Sequence, residues 1–319
     1  MTHQSDEPAA PGRRAALQCL AWAGTGALWT LGGGLAGAVS LDQALAGPKR
    51  APGGAVQPFS FLQISDSHVG FAKAANPDAR ATYREAVAKI AALPVKPAFI
   101  IHTGDITQLS RDAEFDDAEQ IIREAGLPVF HVPGEHDMLD DGNGQAYLDR
   151  FGKGARGDGW YSFDHSGVHF VALINVKLLK PGGMGRLGPD QLAWLKDDLA
   201  GRASSTPVVV FTHMPLWTIS TDWGWGTDDA EQALGLLRRF GSVTVLNGHI
   251  HQVIHKLEGH VAFHTARSTA FPQPAPGTAP SPGPLVVPAE RLRAALGIRE
   301  VSVTRGAGPL ALIDAPLAS

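Results

Sequence analysis

The stretch VFHVPGEHDM, residues 129 to 138, changes character halfway along its length. Its first four residues favour a buried strand, and the pair Pro133-Gly134 ends that strand. Three ionisable side chains follow directly: Glu135, His136 and Asp137. Ionisable groups are costly to bury without partners, so their position on a tight turn after a buried strand indicates a functional site.

The same arrangement recurs along the chain, where five strand-like runs end in a loop that carries Asp, Glu or His. The loops are SDSH (65–68), TGDI (103–106), PGEHD (133–137), THMP (212–215) and NGHIH (247–251). Because the carboxyl ends of strands in an open α/β sheet meet at one edge, we expect these loops to converge. Their candidate ligands are Asp66, His68, Asp105, Glu135, His213, His249 and His251.

Strand-like runs alternate with segments of helical periodicity after residue 58, which predicts an α/β chain with layered sheets. The helical segments are 77–93, 111–126, 188–201 and 228–241. Two hairpin signals lie at 160–175 and 251–266. The segment 271–288 is Pro-rich and predicted to be irregular, and a short helix (289–297) and a last strand (299–305) follow it.

Composition limits the classes of protein. A chain of 319 residues with 44% hydrophobic residues can bury a large core, as one large domain or two small ones. The formal net charge is −4 and basic runs are no longer than two residues, so neither nucleic acid nor an anionic membrane surface is an expected partner. The single cysteine, Cys19, excludes an intramolecular disulfide.

The first 46 residues have the layout of an export signal. The pair Arg13-Arg14 precedes an apolar run over residues 15–39, and the small residues Ala44-Leu45-Ala46 follow. Paired arginines before a Gly-rich apolar run resemble a twin-arginine signal, although Gly12 stands where Ser or Thr is usual. We expect cleavage and a periplasmic or secreted protein. The alternative is an uncleaved membrane anchor, because the run is long enough to span a bilayer.

Several converging Asp and His residues favour a metal site, because carboxylate and imidazole are ligands for zinc, manganese and iron. Seven candidate ligands are too many for one tetrahedral ion but fit two ions that share one carboxylate. Two ions about 3.5–4 Å apart can clamp the attacking and leaving oxygens of a phosphoryl transfer.

The ordered set D-x-H, G-D, G-N-H-[DE], H and G-H-x-H is the signature of the calcineurin-like metallophosphoesterases, and the chain resembles it over roughly residues 59–270, with Glu135 in place of the asparagine. The resemblance implies an α/β/β/α sandwich with a dinuclear site at the carboxyl ends of the strands. It also implies hydrolysis by a metal-held hydroxide. Bacterial relatives with similar spacing include cyclic-nucleotide phosphodiesterases, so a phosphodiester is the first expected substrate and a phosphomonoester the alternative.

The resemblance assigns a role to each candidate side chain. The first ion would be held by Asp66, His68 and His251, and the second by Glu135, His213 and His249. Asp105 would bridge the two ions. His136 would act as general acid or stabilise charge, with Asp137 orienting it. Residues 1–46 would be the export signal, 47–58 a linker and 59–319 the phosphoesterase domain, with a Pro-rich extension from residue 271.

Glu135 departs from the family pattern, in which asparagine is usual. A glutamate adds a negative charge, so two divalent ions would leave a less positive site than usual. Our hypothesis is that Glu135 ligates the second ion and favours an Fe(III)–M(II) pair; the alternative is that it turns away. Iron or manganese is expected, with zinc as the other option. A non-catalytic scaffold or a metal-binding protein of the same fold remains the rival function.

The segment 215–229 follows His213 and contains three tryptophans, Trp217, Trp223 and Trp225. Aromatic side chains beside a metal site can stack on or cover an organic group of a substrate. They can equally pack the loop onto the sheet, and the sequence leaves both interpretations open.

Overall fold

The computed structural model describes residues 56–179, 183–304 and 310–318, and the backbone of three strands nearer the N-terminus. Those strands, β1 (Ala21–Ala23), β2 (Ala27–Gly32) and β3 (Leu35–Ser40), form an antiparallel sheet in a unit of their own. The arginine pair and the cleavage site lie outside the described residues, so export stays a prediction. Among the described helices, none has the length and hydropathy to cross a bilayer.

The second unit contains two mixed sheets. The first has the strand order β14-β13-β4-β5-β6, and the second β11-β12-β10-β9-β8-β7. Strands of the first sheet are β4 (Phe59–Ile64), β5 (Ile100–Thr103), β6 (Val129–Val132), β13 (Gly297–Val303) and β14 (Ala311–Pro316). Strands of the second are β7 (Tyr161–His165), β8 (Val168–Ala172), β9 (Val208–Phe211), β10 (Val243–Asn247), β11 (His255–Glu258) and β12 (Val261–Thr265).

The strands that precede the predicted ligands are parallel neighbours. Strands β4, β5 and β6 pair in parallel in the first sheet, and β9 and β10 do so in the second. Parallel strands end at the same edge, so their five following loops are brought to one rim of the sandwich.

Helices cover the sheets. They are α1 (Ala79–Ala91), α2 (Asp112–Arg123), α3 (Gln145–Phe151), α4 (Pro189–Leu199), α5 (Ala230–Leu237) and α6 (Ala289–Ala295). The Asp78 carboxylate caps α1 by accepting from the Ala81 amide at 2.9 Å. Proline at the first position of α4 is also favoured, because no intrahelical partner exists there for an amide proton.

Aromatic and aliphatic side chains fill the space between the sheets. The ring of Phe61 on β4 meets the ring of Phe170 on β8 edge-on, with 5.4 Å between centroids. Along β9, Val209 joins this inner core while Val210 joins a second core with α4 and α5. This alternation gives the order helix, sheet, sheet, helix, so the predicted α/β/β/α sandwich is confirmed.

The predicted strands, helices and hairpins of the second unit are present, with two additions. Helix α3 follows the turn at Glu135 and is only seven residues long. Strand β14 pairs with β13 at the edge of the first sheet, although it carries Asp314 and Pro316. A strand at the edge of a sheet can contain both Asp and Pro. Helix α3 and strand β14 were not predicted because neither is long enough to show a clear hydrophobic period in the sequence.

A buried arginine joins the two sheets. The guanidinium of Arg299 on β13 is 1% exposed and forms a bidentate pair with Asp314 at 2.9 and 3.0 Å. It also donates to the Thr265 carbonyl on β12 at 2.8 Å and to the Gln63 side chain at 3.2 Å. Gln63 in turn donates to the carbonyl of Asn247, at the end of β10. This network supports strand ends directly below the predicted ligands.

Replacing this arginine should destabilise the fold. Arg299→Met leaves the Asp314 carboxylate without its partner, which we expect to lower the free energy of unfolding by about 3 kcal/mol. Urea titration followed by circular dichroism measures the change. The double variant with Asp314→Leu should recover part of the loss, and Arg238→Met, at an exposed pair, should leave the urea midpoint unchanged. Equal effects of Arg299→Met and Arg238→Met would contradict this account.

Candidate metal centre

The predicted ligands occupy strained positions after the strand ends. Five of them adopt left-handed backbone angles, with φ between 40° and 69°, although none is glycine. They are Asp66, His68, Asp105, His249 and His251. Such angles cost on the order of 1–3 kcal/mol per residue and persist where the surrounding structure enforces them, as at functional sites.

One group of ligands comes from the loops after β4 and β10. Asp66, His68 and His251 each offer an atom within 4.8 Å of the others, and all three are buried. The Nε2 atom of His251 lies 3.3 Å from Asp66 Oδ1 and 3.3 Å from the Nε2 atom of His68. Two imidazole nitrogens that face each other this closely suit a shared cation.

A second group joins three other loops. Glu135, His213 and His249 meet the same 4.8 Å criterion. The Glu135 carboxylate lies 2.9 Å from His213 Nε2 and 3.0 Å from His249 Nδ1. Glu135 therefore faces the site, and the alternative in which it turns away is not the arrangement observed.

Asp105 lies between the two groups. Its Oδ2 atom is 3.5 Å from His68 Nε2 in the first group and 3.4 Å from His213 Nε2 in the second. The other oxygen, Oδ1, accepts the amide of His136 at 2.9 Å. One carboxylate oxygen thus faces both groups while its neighbour is fixed to the backbone.

Backbone carbonyls fix the tautomers of two histidines. His213 donates from Nδ1 to the Thr103 carbonyl at 2.7 Å, and His251 donates from Nδ1 to the Phe271 carbonyl at 2.6 Å. The proton on Nδ1 leaves a lone pair on Nε2, the atom that faces the site. This is the state in which imidazole binds a metal.

Several side-chain atoms that face the centre lack a hydrogen-bond partner among the residues that the structure describes, as expected of atoms that bind metal ions. Asp66 Oδ2, Glu135 Oε2, His213 Nε2 and His249 Nδ1 are buried and have no well-aligned hydrogen bond to any described residue. Buried polar atoms are normally satisfied, so four unsatisfied ones on residues of the two ligand groups require an explanation. Imidazole and carboxylate donors are those preferred by zinc, manganese and iron, and the residues present therefore fit such ions.

Burial and neighbouring charges shift the ionisation of the ligands. Burial alone would raise the pKa of Glu135, but His249 and His213 outweigh it and the pKa lies well below its usual range. Without a cation, the pKa of His213 lies well above its ordinary value, because Asp105 and Glu135 outweigh burial; the ring then holds a proton on Nε2 that a bound metal would displace. Burial lowers the pKa of His68 to about 3, so this ring is neutral and free to bind a cation.

His136 and Asp137 take different positions beside the centre. The His136 ring lines the cavity, and its Nδ1 donates to the Gln108 carbonyl at 2.7 Å. The Asp137 carboxylate accepts the amides of Ile106, Thr107 and Gly134 at 2.8 to 3.0 Å. The Gln108 carbonyl therefore orients His136, and not the Asp137 carboxylate as predicted. Asp137 instead holds two ligand loops together.

A cavity of about 380 Å³ opens onto the centre. Trp223 and Trp225 line it, whereas Trp217 packs against Phe263 with 5.1 Å between ring centroids. Trp217 therefore follows the packing interpretation, whereas contact of Trp223 and Trp225 with a substrate stays a prediction. Several other lining residues carry no local signal in the sequence that would mark them as part of a site. They are Phe71, Lys73, Gln108, Phe271 and Gln273.

Two glycines are required by the closeness of the ligands. A Cβ on Gly134 would overlap the Asp105 carboxylate, and one on Gly248 would overlap the Ser65 hydroxyl and lie 2.6 Å from Asp66 Oδ2. Neither glycine has a positive φ. The reason for glycine at these two positions is close approach, whereas Gly104, directly before Asp105, has a positive φ of 91°.

Comparison with known families gives one match, to the calcineurin-like phosphoesterase model over residues 59–253. A Psychrobacter protein described as a probable cyclic nucleotide phosphodiesterase is 26% identical over 186 residues, 56% of this chain and 53% of that protein. The glycerophosphodiester phosphodiesterase GpdQ of Enterobacter lignolyticus is 26% identical over 183 residues, covering 55% and 64%. The aligned region thus spans about half of the Psychrobacter protein.

Solved structures share the fold. A dimetal phosphatase from Danio rerio superposes with a TM-score of 0.57 at 18% identity, over 80% of this chain and 98% of that one. The purple acid phosphatase PPD1 from yellow lupin superposes with a TM-score of 0.58 at 13% identity, over 83% and 52%. Identities this low show the fold alone.

The packing around Gly248 generates a prediction about metal binding. Gly248→Ala should push the Asp66 carboxylate out of place and lower metal affinity about 10–100-fold, as loss of ligand support does in other metal sites. Mn(II) titration followed by calorimetry measures the affinity.

Gly235→Ala is the matched control, because open space surrounds this glycine in α5. It should leave metal affinity unchanged and stabilise the fold by about 0.5–1 kcal/mol. Unchanged affinity in Gly248→Ala would contradict the placement of Asp66.

Proposed function

The chain belongs to the calcineurin-like phosphoesterase family, and on that premise we propose that it hydrolyses phosphoric esters with two metal ions bound at its centre. The observation that carries the proposal is the position of Asp105. Its Oδ2 atom lies within 3.5 Å of His68 Nε2 and of His213 Nε2, as a carboxylate shared by two ions would.

The two groups of ligands divide between the ions. The first site would be Asp66, His68 and His251 with Asp105, and the second Glu135, His213 and His249 with Asp105. Bound there, two cations supply positive charge for the phosphoryl oxygens and lower the pKa of water at the site. The chain itself fixes the positions of the ligands through the strained loops and the backbone carbonyls described above.

His136 is placed to transfer a proton. Its Nδ1 is engaged by the Gln108 carbonyl, which leaves Nε2 for the cavity. Burial lowers the pKa of His136, but Asp105 and Glu135 outweigh it and the net shift is upward, which favours the protonated ring. We assign its Nε2 proton to the departing alkoxide or to a phosphoryl oxygen that gains charge.

A phosphodiester is the substrate class that the cavity favours. Beside the metal centre, apolar side chains form part of its wall, among them Phe71, Met214, Trp223 and Phe271, next to the polar side chains of Lys73 and Gln108. A monoester needs room for one organic group, whereas a diester has a second group that such a wall can cover. The names of the Psychrobacter and Enterobacter relatives agree with this choice.

An activity assay with a variant at the shared carboxylate tests the proposal. Full-length protein loaded with Mn(II), Fe or Zn(II) should hydrolyse bis-p-nitrophenyl phosphate better than p-nitrophenyl phosphate. Asp105→Asn should lower kcat/KM about 10²–10³-fold or more, because it removes charge stabilisation from the reaction centre. Asp197→Asn, an exposed carboxylate on α4, should not change it. Wild-type protein inactive with every metal would favour the scaffold function instead.

Glu135 generates a prediction about metal identity. We propose that its extra negative charge favours an Fe(III)–M(II) pair over two divalent ions. Metal analysis and electron paramagnetic resonance of protein purified from its native host should show iron, and Glu135→Asn should shift the content toward two divalent ions. The same divalent metals in both proteins would mean that the charge argument is wrong.

A further inference from the structure

The segment after the family match supplies one wall of the cavity. We name residues 271–288 the proline strap; it follows β12 and lies beyond residue 253, where the family match ends. Five of its residues line the cavity beside the metal ligands. They are Phe271, Gln273, Pro282, Gly283 and Pro284.

The proline strap doubles back, so that its first limb, which contains Pro272 and Gln273, lies beside its second limb, which contains Gly283 and Leu285. Hydrogen bonds join the two limbs. The amide of Leu285 on the second limb donates to the Pro272 carbonyl on the first at 2.8 Å. The amide of Gly283 donates to the side-chain oxygen of Gln273 at 2.9 Å. Gln252, outside the strap, donates to the carbonyls of Gln273 and Pro274.

Gln273 connects the strap to the metal centre. Its Nε2 atom donates to the carbonyl of His249, a predicted ligand, at 2.7 Å, while its Oε1 accepts from Gly283. A single amide side chain thus fixes the returning limb relative to a ligand loop. The Phe271 ring makes a second contact between the strap and the metal centre, because its centroid lies 4.7 Å from that of the His68 ring and 4.3 Å from that of the Phe71 ring.

Because of this arrangement, we propose that the proline strap determines which second ester group the enzyme accepts and that Gln273 is its positioning residue. The inference rests on the proposed function and concerns the same cavity. The strap lies beside the predicted ligands, with the Phe271 ring 4.7 Å from the His68 ring and 4.6 Å from the His251 ring, and it supplies no predicted ligand itself. We therefore expect it to contact the organic part of a substrate and not the phosphoryl group. Loosening it should weaken binding of a diester more than binding of a monoester.

The variant Gln273→Met tests this, because it keeps the length of the side chain and removes both hydrogen bonds. Loss of one such bond lowers the population of the strap's observed position by up to about tenfold. The ratio of KM for bis-p-nitrophenyl phosphate to KM for p-nitrophenyl phosphate should therefore rise by as much as about tenfold. The values of kcat should change less than the values of KM. Gln232→Met, at an exposed position in α5, is the matched control and should leave both KM values unchanged.

Two measurements do not depend on turnover. Hydrogen exchange of the metal-free protein should show faster exchange in peptides covering the Leu285 amide in Gln273→Met but not in Gln232→Met. Calorimetry with Mn(II)-loaded protein should show weaker binding of diphenyl phosphate, with binding of inorganic phosphate and the Mn(II) content unchanged.

The outcomes separate this inference from the proposed function. Equal loss for diester and monoester, loss of Mn(II), or unchanged exchange at Leu285 would overturn the role of Gln273. Wild-type protein that hydrolyses neither ester would overturn the proposed function alone, and the exchange and diphenyl phosphate results would still decide whether the strap selects the ligand.

Discussion

The Asp105 carboxylate is the point on which the two halves of the centre depend. One of its oxygens faces a histidine from each group of ligands, and the other is tied to the His136 amide. A carboxylate can hold this position only if β5 ends beside both β4 and the second sheet. The order and parallel pairing of the central strands are therefore what allows one carboxylate to face both groups of predicted ligands.

Keeping the predicted ligands close to Asp105 requires backbone angles that are unfavourable for the individual residues. Five ligand residues have left-handed angles, and two glycines are pressed against ligand side chains. The surrounding structure supplies the stabilisation: Asp137 binds three amides from two ligand loops, and the Arg299 network joins the strands beneath them. Neither Asp137 nor Arg299 lines the cavity, yet the contacts of both keep the predicted ligand atoms close enough to share cations.

The family match and the residues proposed to select the substrate lie in different parts of the chain. The ligands, the loop with His136 and the parallel strands all lie within the residues that match the family. The proline strap lies outside them, and it supplies much of the wall against which an organic group would pack. On the proposed function, a change in the strap would alter the room beside the phosphoryl group without moving the predicted ligands, so one type of centre could serve different esters.

The sequence by itself determined the α/β class, the positions of the main strands and helices, and the types of residue at each strand end. Those features are local: periodicity of two or 3.6 residues, and Asp or His directly after an apolar run. Only the tertiary structure decided that Asp137 binds loop amides instead of the His136 ring, that Glu135 faces two histidines, and that Gln273 reaches the carbonyl of His249. These contacts join residues by direction and proximity across the fold, and no local pattern records where a side chain will find its partner.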